Sequence, residues 1–132
     1  MKSKGTRAER ELHHLLWSSG KWASLRAAGS GSTTLPCPDL IAGNKLKTVA
    51  IECKSIKGKS KYLSKEEVQQ LIIFSDTFGS EPWLAIRFDN MGWYFLNPKT
   101  MPLTKKGNYN ITLSLAKERG VKIEEFISSW KE

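Results

Sequence analysis

The sequence predicts a single α/β domain in which helices pack on a central mixed β-sheet. Segments with the two-residue alternation of strands and segments with helical spacing follow one another in the order α-β-β-β-α-β-β-α, which is typical of helices covering a sheet. The 132 residues suit one domain with a modest core, and a hydrophobic content of 39% is that of a folding chain. We therefore expect residues 1–132 to form one domain.

The N-terminal region predicts a helix over residues 6–19. Its apolar side chains recur at helical spacing, and Gly20 follows as a C-terminal stop. Thr6 and Glu9 match a capping box, in which a hydroxyl and a carboxylate satisfy free backbone N–H groups in the first turn. The apolar positions of this helix are Ala8, Leu12, Leu15 and Leu16.

Three strands are predicted next. Residues 21–27 form a short one, and the following loop, "AAGSGSTTLPCP", is rich in Gly, Ser, Thr and Pro. "DLIAG" is the second strand and "TVAIECKS" the third. Because side chains alternate along a strand, one face of the third strand is expected to face the core and the other to carry two charges. The core face has Val49, Ile51 and Cys53, and the other has Ala50, Glu52 and Lys54.

The middle of the chain predicts a basic connection, "IKGKSKYL", and then a helix over residues 64–78. Ser64 and Glu67 form a second capping box, and Gly79 ends the helix. The residues expected to mark its buried stripe are Val68, Leu71, Ile72 and Phe78.

The C-terminal third predicts a hairpin, an irregular segment and a final helix. "PWLAIRF" and "GWYFL" flank a turn at residues 89–92, which is the pattern of two paired strands. Residues 97–110 are expected to be irregular. The apolar residues that suggest a helix at the C-terminus are Ile123, Phe126, Ile127 and Trp130.

The charge of the chain favours a polyanionic partner. The formal net charge is +8, and residues 45–65 hold seven lysines and only one acid, Glu52. Nucleic acid is the default partner for such a field, although a solvated basic linker has the same composition. No apolar run approaches the roughly 20 residues of a membrane span, and no secretory signal is recognisable. We expect a cytoplasmic protein with two reduced cysteines, Cys37 and Cys53, although a disulfide between them is the alternative.

Three residues predict a metal-dependent phosphodiesterase site. Asp39 follows Pro38 at the head of one strand, and Glu52 lies in the next, so the two carboxylates converge if the strands pair through the Gly43–Asn44 turn. Carboxylate oxygens suit Mg²⁺ or Mn²⁺. Lys54, on the strand face of Glu52, would stabilise charge on the scissile phosphate. Separately, each feature has a plainer explanation: a turn-starting aspartate and an exposed ion pair.

These residues carry a resemblance to a known family. "PD", twelve residues and then "ECK" resemble the PD-(D/E)xK nuclease motif. The wider chain resembles the archaeal Holliday junction resolvases of the Hjc type, over about two-thirds of its length. The stretches that carry the likeness, in order, are "KGTRAEREL", "LRAAGSGS", "PDLIAG", "IECKS", "LIIFSDTFG" and "LAIRF".

The resemblance implies a restriction-endonuclease-like fold and a homodimeric, Mg²⁺-dependent endonuclease in which Mn²⁺ substitutes for Mg²⁺. Its substrate would be four-way junction DNA, cut at paired positions during recombination and repair. Recombination proteins or a sliding clamp are possible further partners, and the sequence does not identify them. The catalytic residues it implies are Glu9, Ser30, Asp39, Glu52 and Lys54, of which Glu9, Asp39 and Glu52 would bind the metal.

DNA contacts are expected at several further positions. The resemblance gives Arg10 and Arg26, with Ser32 as an alternative to Ser30 in the glycine-serine repeat. The lysine run adds Lys57, Lys59 and Lys61. Gln69 matches a glutamine of the wider superfamily, or is an exposed helix residue.

Two other functions stay open at this point. A nuclease of the same fold that acts on nicked, flapped or damaged duplex would have the same basic residues. A non-catalytic module that binds branched DNA would keep the fold, and a missing acid or lysine would have favoured it. Glu9 also has two readings, as a metal ligand and as a helix cap.

Overall fold

The computed structural model describes residues 4–27, 35–101 and 106–129. Within them the helices are α1 (Lys4–Ser18), α2 (Lys65–Phe78), α3 (Leu113–Arg119) and α4 (Ile123–Ser128), with a short 3₁₀ turn at Pro98–Thr100. The strands are β1 (Ala23–Arg26), β2 (Leu40–Gly43), β3 (Thr48–Ile56), β4 (Ser60–Leu63), β5 (Glu81–Phe88), β6 (Gly92–Leu96), β7 (Tyr109–Thr112) and β8 (Val121–Lys122).

The described strands form a six-stranded mixed sheet and a separate pair. The order in the large sheet is β1-β2-β3-β5-β6-β8, and only β3 and β5 run parallel to each other. β4 and β7 form the antiparallel pair. Since α2 connects the parallel strands β3 and β5, it crosses over the sheet and its first turn comes back beside β3. The predicted mixed sheet flanked by helices is confirmed.

Both faces of the large sheet are buried. One cluster contains α2 residues such as Leu71 together with Ala50 and Ile56 of β3, and the other contains α1 residues such as Leu12 together with Ile51. β3 therefore lies between two cores, and each of its faces contributes to one of them. The predicted core face of β3 is confirmed, but the opposite face is also buried at both ends of the strand.

The second predicted capping box is present and the first is absent. The Ser64 hydroxyl accepts the Glu67 N–H at 3.1 Å, and a Glu67 carboxylate oxygen accepts the Ser64 N–H at 3.1 Å. Gly79 ends α2 with φ of 90°, as expected for a left-handed cap. The predicted N-terminal helix is confirmed as α1, but it begins at Lys4, so Thr6 lies inside its first turn and is not its N-cap.

Several elements differ from the sequence prediction. The expected basic connection contains β4, because its residues pair with β7, which is distant in sequence. The helix α3 and the strands β7 and β8 were also missed, and Phe78 is 57% exposed rather than part of the buried stripe of α2. Trp130 lies outside the described residues. None of the described helices is long and apolar enough to cross a bilayer.

Candidate active site

Asp39 lies where the pairing of β2 with β3 ends. Its backbone N–H donates to the Ile51 carbonyl at 2.9 Å, and its Oδ2 accepts the Cys53 N–H at 2.8 Å. The carboxylate therefore takes the place of the next backbone acceptor in the ladder. Because both its backbone and its side chain are tied to β3, the Asp39 carboxylate has a fixed orientation beside Glu52.

One pocket brings the predicted acids and the lysine together. It has a volume of about 330 Å³ and opens at the end of β2, beside β3. The predicted convergence of Asp39 and Glu52 is confirmed, because the antiparallel register that pairs Leu40 with Ile51 places them opposite each other. The side chains that line the pocket are Glu9, Asp39, Glu52, Cys53, Lys54, Ser55 and Lys61.

The two central carboxyls are crowded and poorly solvated. Burial and the negative charge of Asp39 raise the pKa of Glu52 to about 8. Burial also raises the pKa of Asp39, although the hydrogen bond from the Cys53 N–H and the charge of Lys54 oppose that shift. Both pKa shifts therefore favour a proton shared by the two facing carboxyls. Such a pair attracts a cation, because a nearby positive charge favours the form in which both are ionised.

Glu9 reaches the pocket from α1 and is paired with Arg26. Its carboxylate lies 3.7 Å from the Arg26 guanidinium of β1. Burial and the charge of Asp39 raise the pKa of Glu9, and Arg26 lowers it less strongly. Glu9 therefore does not cap its helix, since it points across to β1 and the acid pair.

Lys54 is held by Glu67, a residue that no sequence pattern placed in the site. Its Nζ lies 2.8 Å from a carboxylate oxygen of Glu67 in the first turn of α2. Burial disfavours the charged ammonium, but the hydrogen bond from Lys54 to Glu67 and the surrounding carboxylates outweigh burial and raise the Lys54 pKa. In the sequence Glu67 is recognisable only as part of a capping box.

The donor set of the pocket fits a divalent cation at the acid pair. Asp39 and Glu52 supply hard oxygen ligands, and the shared proton marks a place where positive charge is favoured. Among the described residues, no three His, Cys, Asp or Glu side chains converge closely enough to hold a metal by themselves. Two carboxylates with water and substrate oxygens are therefore the arrangement that fits, and the role of Glu9 as a third ligand stays a prediction.

The expected DNA-contacting residues lie around the same region. Lys61 lines the pocket, whereas Lys57 and Lys59 are exposed between β3 and β4. Arg10 is half-buried on α1. Arg26 is engaged with Glu9, and its Nε is buried with no hydrogen-bond partner among the residues that the structure describes. Their contacts with DNA stay predictions.

Four other sequence predictions have different outcomes. Ser30 and Ser32 lie outside the described residues. Gln69 is exposed on α2, which agrees with the plainer of its two readings. Cys37 and Cys53 are both free thiols, so the expectation of reduced cysteines is confirmed. Burial raises the pKa of the Cys53 thiol well above its usual range, which makes it a packing residue rather than a nucleophile.

The chain is similar to proteins of one family over its whole length. Residues 1–132 match the family model described as archaeal Holliday junction resolvase (Hjc). A curated relative from Archaeoglobus fulgidus, named crossover junction endodeoxyribonuclease Hjc, is 44% identical over 115 residues, covering 87% of this chain and 83% of the relative. A protein of the same name from Methanocaldococcus jannaschii is 42% identical over 108 residues, covering 82% and 75%.

The fold is also similar to a solved structure. The structure of Archaeoglobus fulgidus Hjc, described as a Holliday junction resolvase from an archaeal hyperthermophile, matches with a TM-score of 0.85 at 37% sequence identity. The match covers 94% of this chain and 100% of that one.

Proposed function

The chain belongs to the archaeal Holliday junction resolvase (Hjc) family, and we propose that it is a metal-dependent endonuclease that cuts four-way DNA junctions at paired positions. The observation that carries the proposal is the pocket in which Asp39, Glu52 and Lys54 meet, beside Glu9. The product would be nicked duplexes, and the role one in recombination and repair. We place this action in the cytoplasm, with the DNA.

Each residue of the pocket has a role that follows from its position. Asp39 and Glu52 would hold Mg²⁺, or Mn²⁺ in its place. The bound ion would supply Lewis-acid stabilisation of the phosphate and a more acidic bound water. Lys54 presents its ammonium to the non-bridging oxygens of the scissile phosphate, where negative charge grows in the transition state. Glu9, turned toward the acid pair, adds negative charge that strengthens cation binding.

DNA binding depends on the basic residues around the pocket. The exposed Lys57 and Lys59 neutralise backbone phosphates, and Lys61 does so at the pocket itself. Phosphate contacts position a nuclease without reading base edges, which suits an enzyme that recognises branched shape. Arg10 and Arg26 remain in the proposed contact set, together with the serines Ser30 and Ser32.

A homodimer fits both the substrate and one exposed face. A four-way junction presents two equivalent strands, so a two-fold dimer places one pocket on each. α2 exposes Ile73 by 54% and Phe78 by 57%, and the Phe78 ring stacks on Phe74 at a centroid distance of 5.1 Å. Exposed apolar side chains grouped on one helix are typical of an interface, and we assign this face to a second copy of the chain.

The experiment that tests the proposal compares four substrates of matched sequence in the presence of Mg²⁺. The same enzyme cuts an immobile four-way junction, a flap, a nicked duplex and a linear duplex. Initial rates are measured on labelled strands. We expect the junction to be cut fastest, at symmetry-related positions, and we expect a chelator to stop the reaction.

Two outcomes would contradict the proposal. Equal rates on all four substrates would leave a general nuclease of this fold. Tight junction binding with no cleavage under any divalent cation would leave a branched-DNA-binding module, although the intact set of Asp39, Glu52 and Lys54 argues against that function.

A further inference from the structure

We propose that Glu67 is a positioning residue for the reaction, because it holds the Lys54 ammonium at the mouth of the pocket and thereby couples the start of α2 to the catalytic site. The inference rests on the proposed function of Lys54. The sequence pattern assigns Glu67 only a capping role.

The two oxygens of the Glu67 carboxylate have different partners. Oε2 accepts the Ser64 N–H at 3.1 Å and lies 3.3 Å from the Ser64 hydroxyl, which completes the capping box. Oε1 accepts from Lys54 Nζ at 2.8 Å. A capping box needs only the first of these contacts, and a glutamine would serve it equally well. The contact with Lys54 is therefore additional to the cap.

The Lys54 ammonium keeps a fixed position only if another residue restrains its side chain. A lysine has a flexible four-carbon stem, and holding it in one rotamer costs side-chain entropy. The Lys54 side chain is 20% exposed, its ammonium is paired with Glu67, and the negative charges of Glu52 and Asp39 also attract it. Glu67 on the helix and the acid pair on the sheet therefore both restrain the ammonium.

The position of Glu67 is itself fixed by packing. Val68 and Leu71 of α2 are buried in the same cluster as Ala50 and Ile56 of β3, the two residues that flank Glu52 and Lys54 on that strand face. The first turn of α2 thus cannot slide along β3 without opening this core. Because the cap ties one oxygen of Glu67 to the start of the helix, the other is a fixed acceptor for Lys54.

The test measures the single-turnover cleavage rate of a four-way junction separately from junction affinity. Glu67→Ala should lower the rate by about ten- to hundredfold, the range typical of residues that orient a functional group, with the dissociation constant unchanged. Glu67→Gln keeps the cap and a neutral acceptor, so its rate should lie between those of Glu67→Ala and the wild type, with wild-type thermal stability. Glu66→Ala, an exposed acid in the same helical turn, is the matched control and should cut normally.

A double variant shows whether Glu67 acts through Lys54. Glu67→Ala combined with Lys54→Ala should be no slower than Lys54→Ala alone. A further loss in the double variant, or a wild-type rate for Glu67→Ala, would overturn the inference. A faster Glu67→Ala enzyme would also overturn it, since Glu67 would then restrain Lys54 from reacting. A wild-type rate for Lys54→Ala would instead refute the proposed role of Lys54, and the inference with it.

Discussion

Glu52 and Lys54 lie on a strand face whose two ends, Ala50 and Ile56, are apolar and buried. Ala50 and Ile56 of that face are 0% and 3% exposed. A carboxylate at such a position loses its hydration. That cost is offset only when a cation binds to the carboxylate or a proton neutralises it. At the scale of single residues, the burial of Glu52 therefore lowers the stability of the fold and places a carboxyl at the proposed metal site.

This cost predicts a pH-dependent effect of Glu52→Gln on the metal-free protein. The ordinary pKa is 4.5 and the folded one about 8. Below pH 4.5 Glu52 is protonated in both the folded and unfolded chains. Between 4.5 and about 8 only the unfolded chain loses the proton, so wild-type stability falls as pH rises through this window.

The measurement is thermal unfolding with a chelator present from acidic to alkaline pH. We expect the melting temperature of Glu52→Gln to exceed that of the wild type by a margin that grows up to about pH 8 and then levels off. Glu66→Gln, an exposed acid, should follow the wild type. Parallel curves for Glu52→Gln and the wild type would show that Glu52 is not strained by burial.

At the scale of elements, short segments are held by a few large contacts. α4 has six residues, too few for a stable isolated helix. Its Phe126 ring stacks on Phe95 and on Trp22, with distances of 4.0 Å and 5.2 Å between ring centroids. The Trp22 indole N–H donates to the Ile127 carbonyl at 3.1 Å. α4 thus exists because it closes the aromatic cluster under the α1 face of the sheet.

We predict that Phe126→Ala lowers the free energy of unfolding by about 3–5 kcal/mol, the range for removing a buried aromatic ring. Tyr62→Ala, at an aromatic residue that is 65% exposed, should cost less than about 1 kcal/mol. Urea denaturation of both variants measures the difference. Similar losses for the two would mean that α4 does not depend on Phe126.

The elements also show which parts of the fold the sequence could predict. Alternation identified β3, and a capping box with a closing glycine identified α2, because both signals are local. β4 was missed because of its four residues only Leu63 is buried, and the strand forms by pairing with β7 far along the chain. Phe78 was placed in the core by its spacing, but α2 ends there, beyond the edge of the core.

The same distinction holds for the site. Asp39 and Glu52 were predictable together because a short turn joins their strands and so fixes their register. The contact between Lys54 and Glu67 depends on how α2 returns across the sheet, and no local pattern encodes that path. The capping box did place Glu67 at the start of the helix, so half of its environment was predictable.

At the scale of the whole molecule, two surfaces have different chemistry. The region around the pocket carries exposed lysines, and the chain as a whole has a net charge of +8. The last turns of α2 expose two large apolar side chains, Ile73 and Phe78. α2 thus takes part in both surfaces, because its first turn contacts Lys54 while its last turns carry these apolar side chains.

We predict that Ile73→Glu converts a dimer into a monomer. A charge buried in an apolar interface is unpaired and strongly unfavourable, whereas the same charge on a free monomer surface is solvated. Leu46→Glu, at an apolar residue that is 44% exposed in the turn between β2 and β3, is the matched control and should leave the dimer intact. Light scattering after size exclusion measures the mass of each variant. A wild-type monomer, or an Ile73→Glu dimer, would contradict this assignment.

The most direct test of the central claim is cleavage by Asp39→Asn. The claim is that the carboxyl pair in the pocket binds the metal that a junction-cutting reaction needs. We predict that Asp39→Asn binds a four-way junction with wild-type affinity but no longer cuts it in Mg²⁺, because one of the two facing carboxylates is lost while the side-chain oxygen that accepts the Cys53 N–H remains. Cleavage at the wild-type rate by this variant would contradict the account.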